Sequence, residues 1–199
     1  MQRATSEGRG AGPQVFEPEV LRGLAERFRV RNLLRRFPER SVWAAFMFVN
    51  GFVTIGLLAG VAVISGTPFV FPSLGPTAFL FFFDPAAPSA TPRNAVIGHA
   101  VGILCGWGSL VLFGLEDAGS AMATHVTVER ALAAALSLAA TGAVMILLRA
   151  PHPPAGATTL IISLGALTRP FHLALIEVAV ALLALQAVAI NRLAGLDYP

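Results

Sequence analysis

The sequence predicts an all-α protein: a polytopic membrane helix bundle of four long transmembrane helices plus two short broken or half-helices, organised as a 3+3 inverted repeat. Three observations lead there. The chain of 199 residues is 55% hydrophobic and only 13% charged, against roughly 25% charged in an ordinary soluble domain. Its apolar residues gather into six runs, four of them long enough to span a bilayer. The two short runs each follow a proline-rich break of the same pattern.

From the N-terminus, residues 1–17 (MQRATSEGRGAGPQVFE) are polar and contain Gly and Arg, and read as a disordered cytoplasmic tail. The first 40 residues hold no apolar core followed by a cleavage site, so no signal peptide is expected. Residues 18–40 set Leu21, Leu24, Phe28, Val30, Leu33, Leu34 and Phe37 at helical spacing, with arginines largely between them. That is the pattern of an amphipathic helix at the cytoplasmic interface, with partner binding as its competing use. The transmembrane region follows over 41–195. Its long runs, roughly 43–65, 94–115, 131–148 and 171–190, can each cross about 30 Å of hydrocarbon. The short runs are 74–83 (LGPTAFLFFF) and 155–167 (AGATTLIISLGAL).

PSLGPT at 72–77 and PPAGAT at 153–158 both read P-x-x-G-x-T, 81 residues apart. With the order long, short, long in each half, this marks two repeats, about 43–115 and 131–192. Charge orients them. All 14 basic residues are arginine and nine lie within the first 40 residues, which holds the N-terminus inside. A lysine-free, alanine-rich chain fits a GC-rich bacterial genome and hence a bacterial inner membrane. If each short run completes a crossing, Arg93, Arg149 and Arg192 are cytoplasmic and the acidic loop with Glu116, Asp117 and Glu129 is external. Only Arg130 and Arg169 then fall outside. If the short runs are re-entrant, Arg93, Arg149 and Arg169 are all external. The first arrangement fits better. It gives three crossings per half, inverted halves and two cytoplasmic termini, as in many secondary transporters.

The segments PHPPAGATTLI, FPSLGPTAFLFF and PRNAVIGH together resemble the HPP family of integral membrane proteins, whose His-Pro-Pro stands here as His152, Pro153 and Pro154. The resemblance runs from about Val42 to about Arg192. It implies four transmembrane segments, matching the four long runs. Because the family includes nitrite transporters of chloroplasts and cyanobacteria, it also implies transport of nitrite or a similar small anion. Some members carry a soluble regulatory domain, for which the stretch after the last span is too short. The resemblance brings no set of substrate residues, so the site has to be read from the chain itself.

A half-helix that starts inside a bilayer presents unpaired N–H groups and the positive end of its dipole. A bound anion can satisfy both. Substrate contact is therefore expected from Ser73, Gly75 and Thr77 at the first short helix. At the second it is expected from His152, Pro154, Gly156, Thr158 and Thr159. Proline in a first turn wastes no hydrogen bond, and glycine lets a ligand approach the backbone. The competing reading is a packing kink held by neighbouring helices. Ionisable residues within spans are costly and few, which makes His152, Glu177 and His99 the candidates for proton coupling. Each also has a structural reading: a ring bonded to freed backbone for His152, an ion pair for Glu177, interhelical hydrogen bonds for His99 and Asn50. Arg93 reads as an inside anchor, and Phe79 to Phe83 as lipid and core packing.

Other function classes are poorly served. No H-E-x-x-H, P-loop or G-x-S-x-G occurs, and Cys105 stands alone as a small buried hydrophobe. His99, His152 and Glu177 have no metal-ligand spacing. Neither an enzyme nor a cofactor is expected. The arginine excess sits on one flank of a membrane segment, so nucleic acid is not a partner. The reading is a transporter or channel for a small inorganic anion, most simply nitrite, bound at midplane between the N-termini of the broken helices. The alternative is a non-transporting membrane sensor or regulatory subunit. Gly98, Gly102 and Gly106, spaced for close helix contact, point to a homodimer, with packing inside one protomer as their competing use.

Overall fold

The computed structural model describes residue 26 and residues 28–199. The expected tail over 1–17 and the first part of the expected 18–40 helix lie outside the described residues. Among the described residues there are seven α-helices and no strand. They are α1 Val30–Leu34, α2 Glu39–Ser65, α3 Leu74–Phe83, α4 Pro92–Leu112, α5 Val128–Leu147, α6 Ala155–Ser163 and α7 Pro170–Leu193, with a 3-10 turn at Pro88–Ala90. α2, α4, α5 and α7 are long and apolar enough to cross a membrane. α3 and α6 have 10 and 9 residues, so each reaches only about 15 Å, half the hydrocarbon thickness.

Local chemistry sets these limits. Thr91 and Thr127 cap α4 and α5 by accepting from the amides of Asn94 and Arg130, and Pro92 and Pro170 sit in first turns, where a missing N–H costs nothing. Four helices end on a left-handed glycine: Gly66, Gly114, Gly165 and Gly195, with φ of 65°, 63°, 79° and 79°. α5 ends the same way without glycine. Arg149 takes φ 51°, its amide donates to Ile146 O at 3.1 Å, and the amide of Ala150 reaches back to Met145 O at 3.0 Å. This two-bond closure favours glycine because a Cβ crowds the left-handed backbone. The prolines at 151, 153 and 154 then prevent the helix from resuming.

Helix directions alternate along the chain. α6 runs beside α4 in the same sense: Cβ atoms placed on Gly98, Gly102 and Gly106 would lie 2.7 Å from His152 Cβ, 2.8 Å from Ala155 O and 2.9 Å from Thr159 O. α5 opposes both, since that same Cβ on Gly98 meets Met145 near the α5 end. α7 ends where α3 ends and α4 begins: Asn191 Nδ2 donates to Phe81 O at 3.1 Å, and the Tyr198 hydroxyl donates to Ala90 O. α2 starts at this end too, with Val42 beside Ile190 and Leu193 around an apolar groove of about 840 Å³. There the amide of Val30 donates to Ala194 O at 3.0 Å.

α7 supplies much of the core through Leu173, Ile176, Val180, Leu183 and Ala187, all buried. α2 is peripheral: it buries only Val42, Thr54 and Leu58, while Phe48, Phe52, Val63 and Ile64 are exposed on a surface suited to lipid. Gly98, Gly102 and Gly106 have a use inside one protomer, where they let α6 lie against α4. Arg130, one of the two arginines that positive-inside counting leaves outside, is buried. Its guanidinium donates to Ser163 O at 3.3 Å, Ala118 O at 3.3 Å and Gly119 O at 2.8 Å, complementing the negative end of α6. It is an internal clamp, not a surface charge.

Candidate functional site

Each short helix carries the threonine of its P-x-x-G-x-T as its fourth residue: Thr77 in α3, Thr158 in α6. Both threonines reach the same imidazole. Nε2 of His99 lies 2.8 Å from Thr77 Oγ1, and Nδ1 of His99 lies 2.7 Å from Thr158 Oγ1. His99 sits on α4 between two of its glycines. The second imidazole completes the cluster: His152 Nε2 lies 3.2 Å from Thr77 Oγ1, and His152 Nδ1 lies 2.8 Å from Ser89 O. The two rings stand 5.1 Å apart between centroids. Thr77, His99, His152 and Thr158 have no solvent exposure at all. A polar chain therefore joins the 3-10 turn, α3, α4 and α6 inside an apolar bundle.

Two neighbouring hydroxyls are buried without a partner: Ser73 Oγ, one turn ahead of Thr77, and Thr159 Oγ1, next to Thr158. A buried polar atom left without a hydrogen bond is costly, so such atoms mark a place where a ligand or water belongs.

The remaining candidates are placed less centrally. Gly75 is exposed and a Cβ there would meet nothing within 4 Å. Gly156 is half-buried, with the Leu138 side chain 3.3 Å from where its Cβ would stand. Pro154 is the buried N-cap of α6. The amides expected to be open at the start of α6 have partners: Ala155, Gly156 and Ala157 donate to the carbonyls of His152, Pro153 and Pro154 at 2.9–3.0 Å. The prolines thus leave carbonyls placed to close the first turn, and the side-chain hydroxyls become the available donors. Glu177 is not brought to the histidines; both its carboxylate oxygens are buried without a partner. Asn50 donates to Phe46 O of its own helix at 2.8 Å rather than across helices. Arg93 bonds Asn94 at the α4 start. Of the phenylalanines, Phe81 and Phe82 are in the core, while Phe79 and Phe83 stack on each other at the surface.

In the sequence His99 is one of several polar residues within spans, and nothing there marks it as the junction beyond its place one residue after Gly98, on the glycine face that admits α6. Ser89 escaped notice because only its carbonyl takes part. Among the described residues no group of three or more His, Cys, Asp or Glu could hold a metal ion.

Residues 37–199 match the family model for the HPP transmembrane region. A curated protein of Dictyostelium discoideum, described as a transmembrane protein, is 35% identical over 129 residues, which cover 64% of this chain and 38% of the relative. The chain therefore spans well under half the length of that relative. No solved structure matches it.

Proposed function

The chain belongs to the HPP family of membrane proteins, and from that premise we propose that it carries a small inorganic anion, nitrite first among the candidates, across the membrane. The observation that carries this reading is the meeting of two broken helices, one from each half, on one and the same buried imidazole, that of His99. A membrane anchor or passive subunit gains nothing from two interrupted helices that bring hydroxyls and imidazoles to one depth. Buried polar groups inside a membrane bundle are costly and mark substrate or ion paths.

The alternating helix directions support three crossings per half and hence inverted halves, the arrangement in which alternating access works around a fixed site. Val30, early in the described chain, bonds Ala194 near its end, which fits termini on one side, read as the cytoplasmic side of an inner membrane. The site is closed, as an occluded state of such a cycle would be. Flux assays in proteoliposomes test the reading. Nitrite, or else nitrate, formate, bicarbonate or chloride, should move faster than through empty vesicles, and Thr77→Val should abolish the excess. Flux of none of the five would remove the transport reading and leave the non-transporting subunit.

A further inference from the structure

Carbonyl oxygens only accept hydrogen bonds, and this sets the polarity of the whole polar chain. Ser89 O takes the proton on Nδ1 of His152, so a neutral His152 offers a lone pair at Nε2. Thr77 can donate there at 3.2 Å or to Ser73 O at 3.1 Å, and neither choice leaves it a proton for His99. With its one proton in use, Thr77 Oγ1 accepts from Nε2–H of His99. His99 is left with a lone pair at Nδ1, which takes the proton of Thr158. Thr158 to His99 to Thr77 to His152 to Ser89 is the one arrangement of neutral groups in which every ring nitrogen is served.

This cluster has no fixed charge. On the packed helices the charged groups are Glu39 and Arg40 at the start of α2, Arg93 on α4, Glu129 and Arg130 on α5, and Glu177 and Arg192 on α7; α3 and α6 have none. Among the described residues none of them hydrogen-bonds to either imidazole, and the titratable group facing each ring is the other ring, 5.1 Å away. Arg130 is held by carbonyls, Arg93 by Asn94 and Arg192 by Tyr198 O. An anion entering such a site would be a bare buried charge, which is prohibitive without a partner.

We infer that the partner is a proton taken up by His99, and that its uptake builds the anion site. This rests on the anion-transport reading above. Hydronium from the surrounding solution gives its proton to Nδ1 and leaves as water, making His99 a donor on both sides. Thr158 Oγ1 then accepts from Nδ1–H, and the Thr158 O–H bond, directed at the ring before, is released toward the ligand. One N–H bond forms and no other covalent bond breaks within the protein. The site gains one positive charge and one hydroxyl donor together. The hydroxyls of Ser73, one turn ahead of Thr77, and of Thr159, next to Thr158 in sequence, are buried without a partner. The ligand class is therefore a compact monovalent anion moving with one proton, an electroneutral pair.

Two measurements on the full chain test this. Nitrogen-15 NMR of histidine-labelled protein, anion-free at neutral pH, should show His99 protonated on Nε2 and His152 on Nδ1; the opposite tautomer at His99 overturns the inference. Calorimetry of nitrite binding in buffers of different ionisation heat should give about one proton taken up per nitrite, as a single ring nitrogen accepts one. His99→Gln should lose that uptake, because the amide bonds but does not titrate. Should that variant fail to fold, Thr158→Val serves: uptake should persist while nitrite affinity falls about tenfold, the worth of one hydrogen bond. Nitrite bound without proton uptake, undiminished uptake in His99→Gln, or unchanged affinity in Thr158→Val overturns the inference and leaves anion transport standing. Binding of none of nitrite, nitrate, formate and chloride to the wild-type chain overturns both.

Discussion

The short helices α3 and α6 begin with the same motif and meet the rest of the molecule differently. α6 is wedged between α4 and α5, with backbone 2.8 Å from where a Gly102 Cβ would stand. α3 lies between α2 and α7, and its motif glycine, Gly75, faces open space. α3 is approached through Gly66 at φ 65°, whereas α6 is approached through the non-glycine Arg149 at φ 51°. What the two helices share is the fourth-residue threonine and its bond to His99. The repeated element is thus a hydroxyl delivered to one place, and glycine and backbone amide are free to differ around it.

The threonines themselves offer the sharpest way to break the comparison. Thr77 serves two ring nitrogens, Thr158 one. At about 1–3 kcal/mol for each buried group left unserved, Thr77→Val should destabilise by about 2–6 kcal/mol and Thr158→Val by about half that. Thermal unfolding in mild detergent should show Thr77→Val melting first; equal shifts would mean the chain through His152 is not formed. Next in size is packing. Gly102→Ala forces a Cβ against the Ala155 carbonyl and should cost about 1–3 kcal/mol, with loss of flux because α6 must move away from His99. Gly75→Ala in α3 should leave both stability and flux near wild type. The smallest effect is expected at the approach to α6, where Arg149→Gly relieves a left-handed residue and should stabilise by about 1 kcal/mol, read as a higher melting temperature. A lower one would show the arginine side chain holding the turn.

Much of this was readable in advance because it is local. Long apolar runs and the prolines around His152 locate the spans and the second break to within a few residues. The P-x-x-G-x-T repeat by itself singles out Thr77 and Thr158. What local pattern does not carry is pairing across 59 and 75 residues, the separations of His99 from Thr158 and of Thr77 from His152. Nor does it say which partner a glycine face receives. Gly98, Gly102 and Gly106 have spacing that suits a second protomer as well as α6, and only packing decides between them.

The chain is made from its N-terminus, which gives the polar cluster a history. Thr77 and His99 emerge in the first half, and their bond can form as soon as α3 and α4 are inserted. His99 then carries an unserved Nδ1 until Thr158 is translated, 59 residues later. Arg130 waits likewise for Ser163, 33 residues downstream, while Ala118 and Gly119 are already available to it. The first half of this protein is therefore an insertion intermediate with a polar nitrogen exposed on a glycine-lined face, and α6 is what closes it. A ribosome stalled before residue 150 should leave α4 open to whatever hydroxyl-bearing helix the insertion machinery offers, and release of the stall should displace it.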